Sequence, residues 1–392
     1  MKKIPLKPDR AEEILQAADG HPKLLELLAA RAGERDLGEL LKEVRERRGD
    51  FQAQLERIYA WCAERAGEDG RRAWSLLPLF PAGRAPERPL RALAGEAGLQ
   101  ALREAALAEF DPQQQAWAWH ATLSEYARAH WPLREKQQLA LLKQALPAWT
   151  AWLEGLAEEE AARLEAQARN LESLLQAAPR LGREAAWGFL KRLDERLPAP
   201  DRTLRLRAVQ EPLYRAMLAL AENDPEKARA LGMLGYALSA LGQHEQALTA
   251  AQEAADLYRG LAQAQPQAFL PDLARSLNNL GLMLSALGRR EEALAATQEA
   301  VEIHRKLAQA NPQAFLPNLA GSLNNLGDRL KESGQSEQAL AAYEEAVRIL
   351  APFYLRLPSA FEDWMRYMVR DYVEACQAAG REPDAALVQA LA

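Results

Sequence analysis

A 46-residue spacing runs through the last part of the chain and limits what it can become. Gly235, Gly281 and Gly327 stand in the same local context, and the interval from 235 to 281 and from 281 to 327 is 46 in each case. Leu241 with Gly242, Leu287 with Gly288 and Ser333 with Gly334 keep that interval, as do Pro266, Pro312 and Pro358, and Phe269, Phe315 and Phe361. A fixed period of this size marks a stack of like units, a stronger constraint than any single motif.

Within one unit the apolar residues fall at helical spacing. Leu273, Leu277, Leu280, Leu284 and Leu287 share one face of a helix that ends at Gly288, where a positive φ is needed. Ala293, Thr297, Ala300, His304 and Leu307 form the face of a second helix, stopped by Pro312. The unit is therefore two antiparallel helices, with Gly281, Ala293 and Ala300 at their close approach. One hairpin cannot bury its own apolar face, so neighbours stack and share a core.

These residues resemble the tetratricopeptide repeat: a Leu–x–x–Leu-Gly–x–x–Leu pattern, a Gly, then Glu-Ala-Leu and a later Ala. The unit is longer than the usual repeat of about 34, and the SLNNLG signature looks more like the kinesin-light-chain type. The resemblance implies a right-handed α-α superhelix. Three full copies span roughly Lys227–Asp363, and a degenerate fourth closes the chain, with Val369, Tyr372, Val373 and Cys376 on core positions.

Composition agrees with a mostly all-α fold. Ala, Leu, Glu, Gln and Arg dominate, all good helix formers. The formal net charge of −6 offers no general attraction to nucleic acid or an anionic membrane. No run is long enough to span a membrane, and the start MKKIPLKPDR has no apolar segment behind it. Cys62 and Cys376 form no CxxC. These features together predict a cytoplasmic protein.

Four segments follow. Residues 1–48 read as helices broken at Asp19–Pro22. Residues 49–132 read as a winged-helix-like domain: helices around Phe51–Ala66 and Gly70–Leu77, a Pro-rich turn at Pro78–Pro89, short helices around Leu90–Ala94 and Leu99–Ala106, a small hairpin pairing Leu107–Phe110 with Ala116–Trp119, and a closing helix at Leu123–His130. Residues 133–226 form a helical bridge of degenerate pairs, with Leu197–Asp201 as its best internal break because of two prolines. Residues 227–392 are the repeats, with Asp224 as the first N-cap and Pro225 at N1.

GHPKLLELLA and WHATLSEYARAH resemble the C-terminal part of the STAND NTPases, which carry an NB-ARC core. In that family a Gly-x-Pro motif and a winged-helix Met-His-Asp motif contact nucleotide, and a helical repeat array usually follows. The resemblance places Pro22 near a base and His120 near phosphates. The chain departs from the pattern: it has no GxxxxGK[ST], no acidic strand end before Gly20, and Ala121 where the motif has Asp. It resembles such a protein without its ATPase core, and no cofactor is expected.

The candidate ligand-binding residues lie on the first helices of the repeats. Two asparagine pairs, Asn278 with Asn279 and Asn324 with Asn325, sit in mid-helix, where Asn costs up to about 0.7 kcal/mol relative to Ala. The strip beside the core face carries Arg275, Asn278, Leu282 and Ser285, then Gly321, Asn324, Asp328 and Lys331 in the next repeat. In tetratricopeptide proteins this strip lines a concave groove where amides bond an extended peptide. The other reading of the asparagines is a ladder tying adjacent helices together. The five histidines lack thiolate or carboxylate partners at metal-ligand spacing, and no catalytic constellation is present.

The sequence therefore predicts a non-enzymatic scaffold that binds a protein or peptide, acting as the sensor arm of a STAND-type signalling system, with self-association through repeat ends as a further expectation. The alternatives are a DNA-binding regulator acting through the winged helix, for which Leu99–Ala106 offers only Arg103 as a basic residue, or the remnant of a STAND ATPase.

Overall fold

The computed structural model describes residues 8–18, 22–29, 37–105, 107–157, 160–198 and 206–389. The chain separates into two compact units, Met1–Pro198 and Ala199–Ala392. The segment expected as a bridge is shared between them, and the residues 199–205 lie outside the described ones.

The first unit begins with α1 (Pro8–Ala18), α2 (Pro22–Ala29), α3 (Leu37–Glu46), α4 (Phe51–Arg65) and α5 (Gly67–Leu76). Strand β1 (Arg84–Pro86) leads into α6 (Glu87–Glu104), followed by β2 (Glu109–Asp111), β3 (Ala116–Ala118) and α7 (Ala121–His130). The unit closes with α8 (Glu135–Glu154), α9 (Ala161–Ala166), α10 (Ala168–Leu181) and α11 (Arg183–Arg196). Among the described residues the sheet has three antiparallel strands in the order β1-β3-β2, with Ala85 and Phe110 both opposite Trp117.

Three expectations for this unit change. The Pro-rich stretch contains a strand, and the hairpin strands are shorter than expected. The two short helices form one element, α6, bent at Gly95, whose φ of 70° breaks the helical path. The strand was hidden because three residues cannot show a period of two and Pro86 argues against sheet. Its pairing is held from outside: Asn170 of α10 accepts from the Ala82 amide at 2.9 Å and donates to the Arg84 carbonyl at 2.7 Å. Tyr59, Trp74, Tyr126 and Trp131 form an aromatic cluster, with Trp74 stacked on Tyr126 at 5.2 Å and its Nε1 donating to the Leu123 carbonyl at 2.9 Å.

The second unit starts with α12 (Arg207–Leu220) and continues as helix pairs: α13 (Asp224–Ala240) with α14 (His244–Ala264), α15 (Pro266–Ala286) with α16 (Arg290–Ala310), α17 (Pro312–Glu332) with α18 (Ser336–Arg356), and α19 (Pro358–Ala378) with the short α20 (Ala385–Gln389). Each helix from α12 to α19 packs on the next in sequence, the arrangement of a tetratricopeptide superhelix. Leu323, Leu330, Val347 and Leu350 are buried between α17, α18 and their neighbours.

The first helix of each pair ends in a tight reverse. At Gly288, φ is 73°, the Arg289 amide donates to the Leu284 carbonyl and the Gly288 amide to Ser285, closing the helix as a Schellman motif. The helices extend further toward their N-termini than the apolar pattern indicated. Pro266, Pro312 and Pro358 open helices at N1, where the missing amide hydrogen is no loss. Pro271 and Pro317 then lie inside α15 and α17, near their starts. The cap of α13 also shifts: Asn223, not Asp224, is the N-cap and accepts from the Glu226 amide at 3.0 Å.

Candidate functional site

The repeats bring their helices together through missing side chains. A Cβ on Gly281 would lie 2.4 Å from Thr297 Oγ1, and one on Gly327 would lie 2.5 Å from the Tyr343 ring, so both glycines are close-contact positions between the helices of a pair. Thr297 is buried and turns its hydroxyl onto the Ala293 carbonyl at 2.9 Å.

The strip that the sequence singled out lies one step from this contact, and most of it is engaged between successive repeats. Asn278 Nδ2 donates to Ser322 Oγ at 2.7 Å, from α15 to α17. Asn324 Nδ2 donates to Asp371 at 3.1 Å, from α17 to α19. Ser285 donates to Glu332 at 2.6 Å, again from α15 to α17. Asp328 accepts from the Tyr343 hydroxyl at 2.7 Å, and Lys331 lies 3.7 Å from Glu374. Arg275 is exposed and paired with Asp272. Asn279 is half-buried and Asn325 exposed. Asn278 and Asn324 therefore form an interhelical ladder, and each still has a buried Oδ1 with no hydrogen-bond partner. Leu282 stands open on the same strip at 42% exposure.

Charge is handled by burial here. His304, 2% exposed, meets Ser322 Oγ through Nδ1 at 2.7 Å, while its Nε2 is buried without a partner. Asn278 offers Ser322 only hydrogens, so the Ser322 hydroxyl proton is left to donate to Nδ1, which fixes the neutral Nε2–H tautomer. Burial, with the Arg275 charge second, lowers the His304 pKa to about 4. Burial also raises the Asp328 carboxyl above its usual range, opposed by the Tyr343 hydrogen bond. Sequence reasoning placed His304 on the packed face but missed Ser322 as its partner, because the two are joined only when consecutive repeats stack.

In the first unit, His120 is exposed and is the N-cap of α7: its Nδ1 receives the Thr122 amide at 3.4 Å and lies 2.8 Å from the Thr122 hydroxyl. Pro22 opens α2, and its side chain is outside the described ones. Cys62 and Cys376 are buried thiols. Among the described residues, no group of three His, Cys, Asp or Glu side chains could hold a metal ion, and no helix is long and apolar enough to cross a membrane.

No curated protein matches the chain. A solved structure from Pyrococcus horikoshii, described as a signal transduction ATPase with numerous domains (STAND) protein with a tetratricopeptide repeat sensor, is similar at 16% identity and a TM-score of 0.27, covering 95% of this chain and 62% of that one. The chain thus spans less than two thirds of that protein. Family models described as tetratricopeptide repeat match residues 272–351 and residues 228–260. The helix pairs α13–α14, α15–α16 and α17–α18 are tetratricopeptide repeats.

Proposed function

We propose that the second unit is a scaffold that holds an extended segment of a protein or peptide along the first helices of its repeats, the side that is concave in tetratricopeptide arrays. The observation that carries this reading is the composition of the strip. A rigid ladder through Asn278, Ser285 and Asn324 underlies an exposed Leu282 and the exposed cations Arg275 and Lys331. An open apolar residue beside groups that can bond a backbone is what peptide recognition needs.

The motif resemblance of residues 20–29 and 119–130 supports the further reading that this scaffold is the sensor or regulatory arm of a STAND-type signalling system. The order helix, strand, bent helix, hairpin over residues 67–118 supports a winged-helix-like domain at residues 49–132. A DNA-binding role for it is disfavoured by charge: on α6, Arg91 is taken up by Glu87 and Glu96, and Gln100 by Glu104.

The test is affinity capture from lysate with wild type beside Arg275→Glu/Lys331→Glu, which alters the strip without cutting the ladder. The expected result is a partner held by wild type and lost by the variant at unchanged helicity and melting. Retention of the same partner at the wild-type level would remove the strip as the binding surface.

A further inference from the structure

The first unit holds a cavity of about 230 Å³ that plays no part in the peptide reading. Its lining comes from α5 and the turn after it, the end of α7, the start of α8, and α10. Pro78, Leu79, Pro132, Leu133 and Leu142 give it apolar walls. Those walls are fixed. Two of the residues are prolines with a locked φ, and Gln138 of α8 holds the connecting loop by donating to the Leu133 carbonyl at 2.8 Å. Trp131 stands edge-on to Trp74 at 5.3 Å and to Tyr126 at 5.7 Å, so the aromatic cluster keeps its ring in place.

Three polar groups of the lining are spare. Among the described residues, the exposed Arg128 guanidinium has no ion pair and no hydrogen bond, and the half-buried Trp131 N–H and Ser173 hydroxyl have no hydrogen bond either. Other arginines of this unit, such as Arg91, Arg163 and Arg192, are each taken up by a glutamate. No acidic residue lines the cavity. A guanidinium and an indole N–H can only donate, so the group that completes this site is an acceptor, and the uncompensated charge selects an anion.

We infer that this cavity binds a small carboxylic acid with an apolar body, its carboxylate taken by Arg128, the Trp131 N–H and the Ser173 hydroxyl, and its body lodged against the prolines and leucines. The planar guanidinium fork matches a carboxylate. One cation balances one negative charge, whereas a phosphate monoester carries nearly two. The volume falls below the roughly 300 Å³ typical of the smallest drug-sized sites, which limits the body to about one ring or a short branched chain. The site belongs to the first unit and stands or falls apart from the peptide reading of the second.

The test titrates the whole chain with phenylpropanoate, its uncharged amide and acetate, followed by calorimetry and by the indole N–H resonances, that of Trp131 being assigned from Trp131→Phe. The acid is expected to bind saturably and to shift the Trp131 indole resonance. The amide, which lacks the charge, and acetate, which lacks the body, are each expected to bind about tenfold more weakly or worse. Arg128→Gln should weaken the acid about tenfold or more at an unchanged melting temperature, because the side chain it replaces is exposed and unpaired. Arg128→Lys should restore part of the affinity. No saturation at millimolar acid, equal binding of the amide or of acetate, an unmoved Trp131 resonance, or full affinity in Arg128→Gln would overturn the inference. The peptide Ala-Ala-Phe with a free C-terminus is the last arm: tighter binding of it than of the acid would assign the cavity to the chain end of a protein partner and overturn the small-molecule reading.

Discussion

Acidification should destabilise the repeat unit through His304, and replacing this residue should relieve the effect. The side chain is 2% exposed, its Nδ1 takes the Ser322 proton and its Nε2–H is buried. Protonation puts a charge in a buried site and ends the Ser322 donation. With a pKa of about 4 in the fold and about 6.5 in the unfolded chain, the unfolded state binds more protons between these values. Stability is then complete above pH 6.5 and is lost as the pH falls toward 4. Between pH 7 and pH 5 the loss from this group is about 2 kcal/mol, or a urea midpoint lowered by roughly 1 M. His304→Leu is the comparison, since Leu350 is fully buried at the same repeat position and Ser322 keeps its bond from Asn278. Urea unfolding followed by amide resonances of α16 and α17 at the two pH values should show wild type losing about 2 kcal/mol more than the variant. The His304 Cε1–H resonance should also stay unchanged down to pH 5. Equal losses in both proteins, or a resonance titrating near 6.5, would show that the buried site does not exclude the charge.

Gly327→Ala should destabilise the second unit by about 1–3 kcal/mol through overpacking against the Tyr343 ring, seen as a lower calorimetric melting temperature; in a Tyr343→Leu background, itself destabilised by loss of the Asp328 bond, the same glycine change should cost measurably less. Gly334→Ala, at a φ of 76° with open space around it, should cost about 1–2 kcal/mol through the backbone alone, and no second substitution in contact should rescue it. Asn170→Leu should destabilise the first unit by about 1–3 kcal/mol by leaving the Ala82 amide and the Arg84 carbonyl without their partner. Tryptophan fluorescence during denaturation reads that unit, since Trp364 is the one tryptophan beyond residue 198.

What the sequence alone determined is everything that repeats or alternates within a few residues. The period of 46 located each helix pair, the apolar spacing chose the buried faces, and Gly288 and Gly334 marked the helix ends, because helical geometry and the positive φ of a cap are local properties. The asparagines were visible as anomalies for the same reason: their cost in mid-helix needs no knowledge of neighbours. Tertiary structure decided what those residues do. Asn278 meets Ser322, and Ser322 meets His304, across 44 and 18 residues, so neither bond leaves a trace in any short window. Strand β1 was likewise invisible, since three residues, one of them a proline, form a strand only when β3 and Asn170 supply their hydrogen bonds from far along the chain. The sequence shows Gly232 where the next repeat has Asn278, but only stacking reveals that the buried Ser276 hydroxyl has no partner, because an absent side chain acquires meaning from what surrounds the space it leaves.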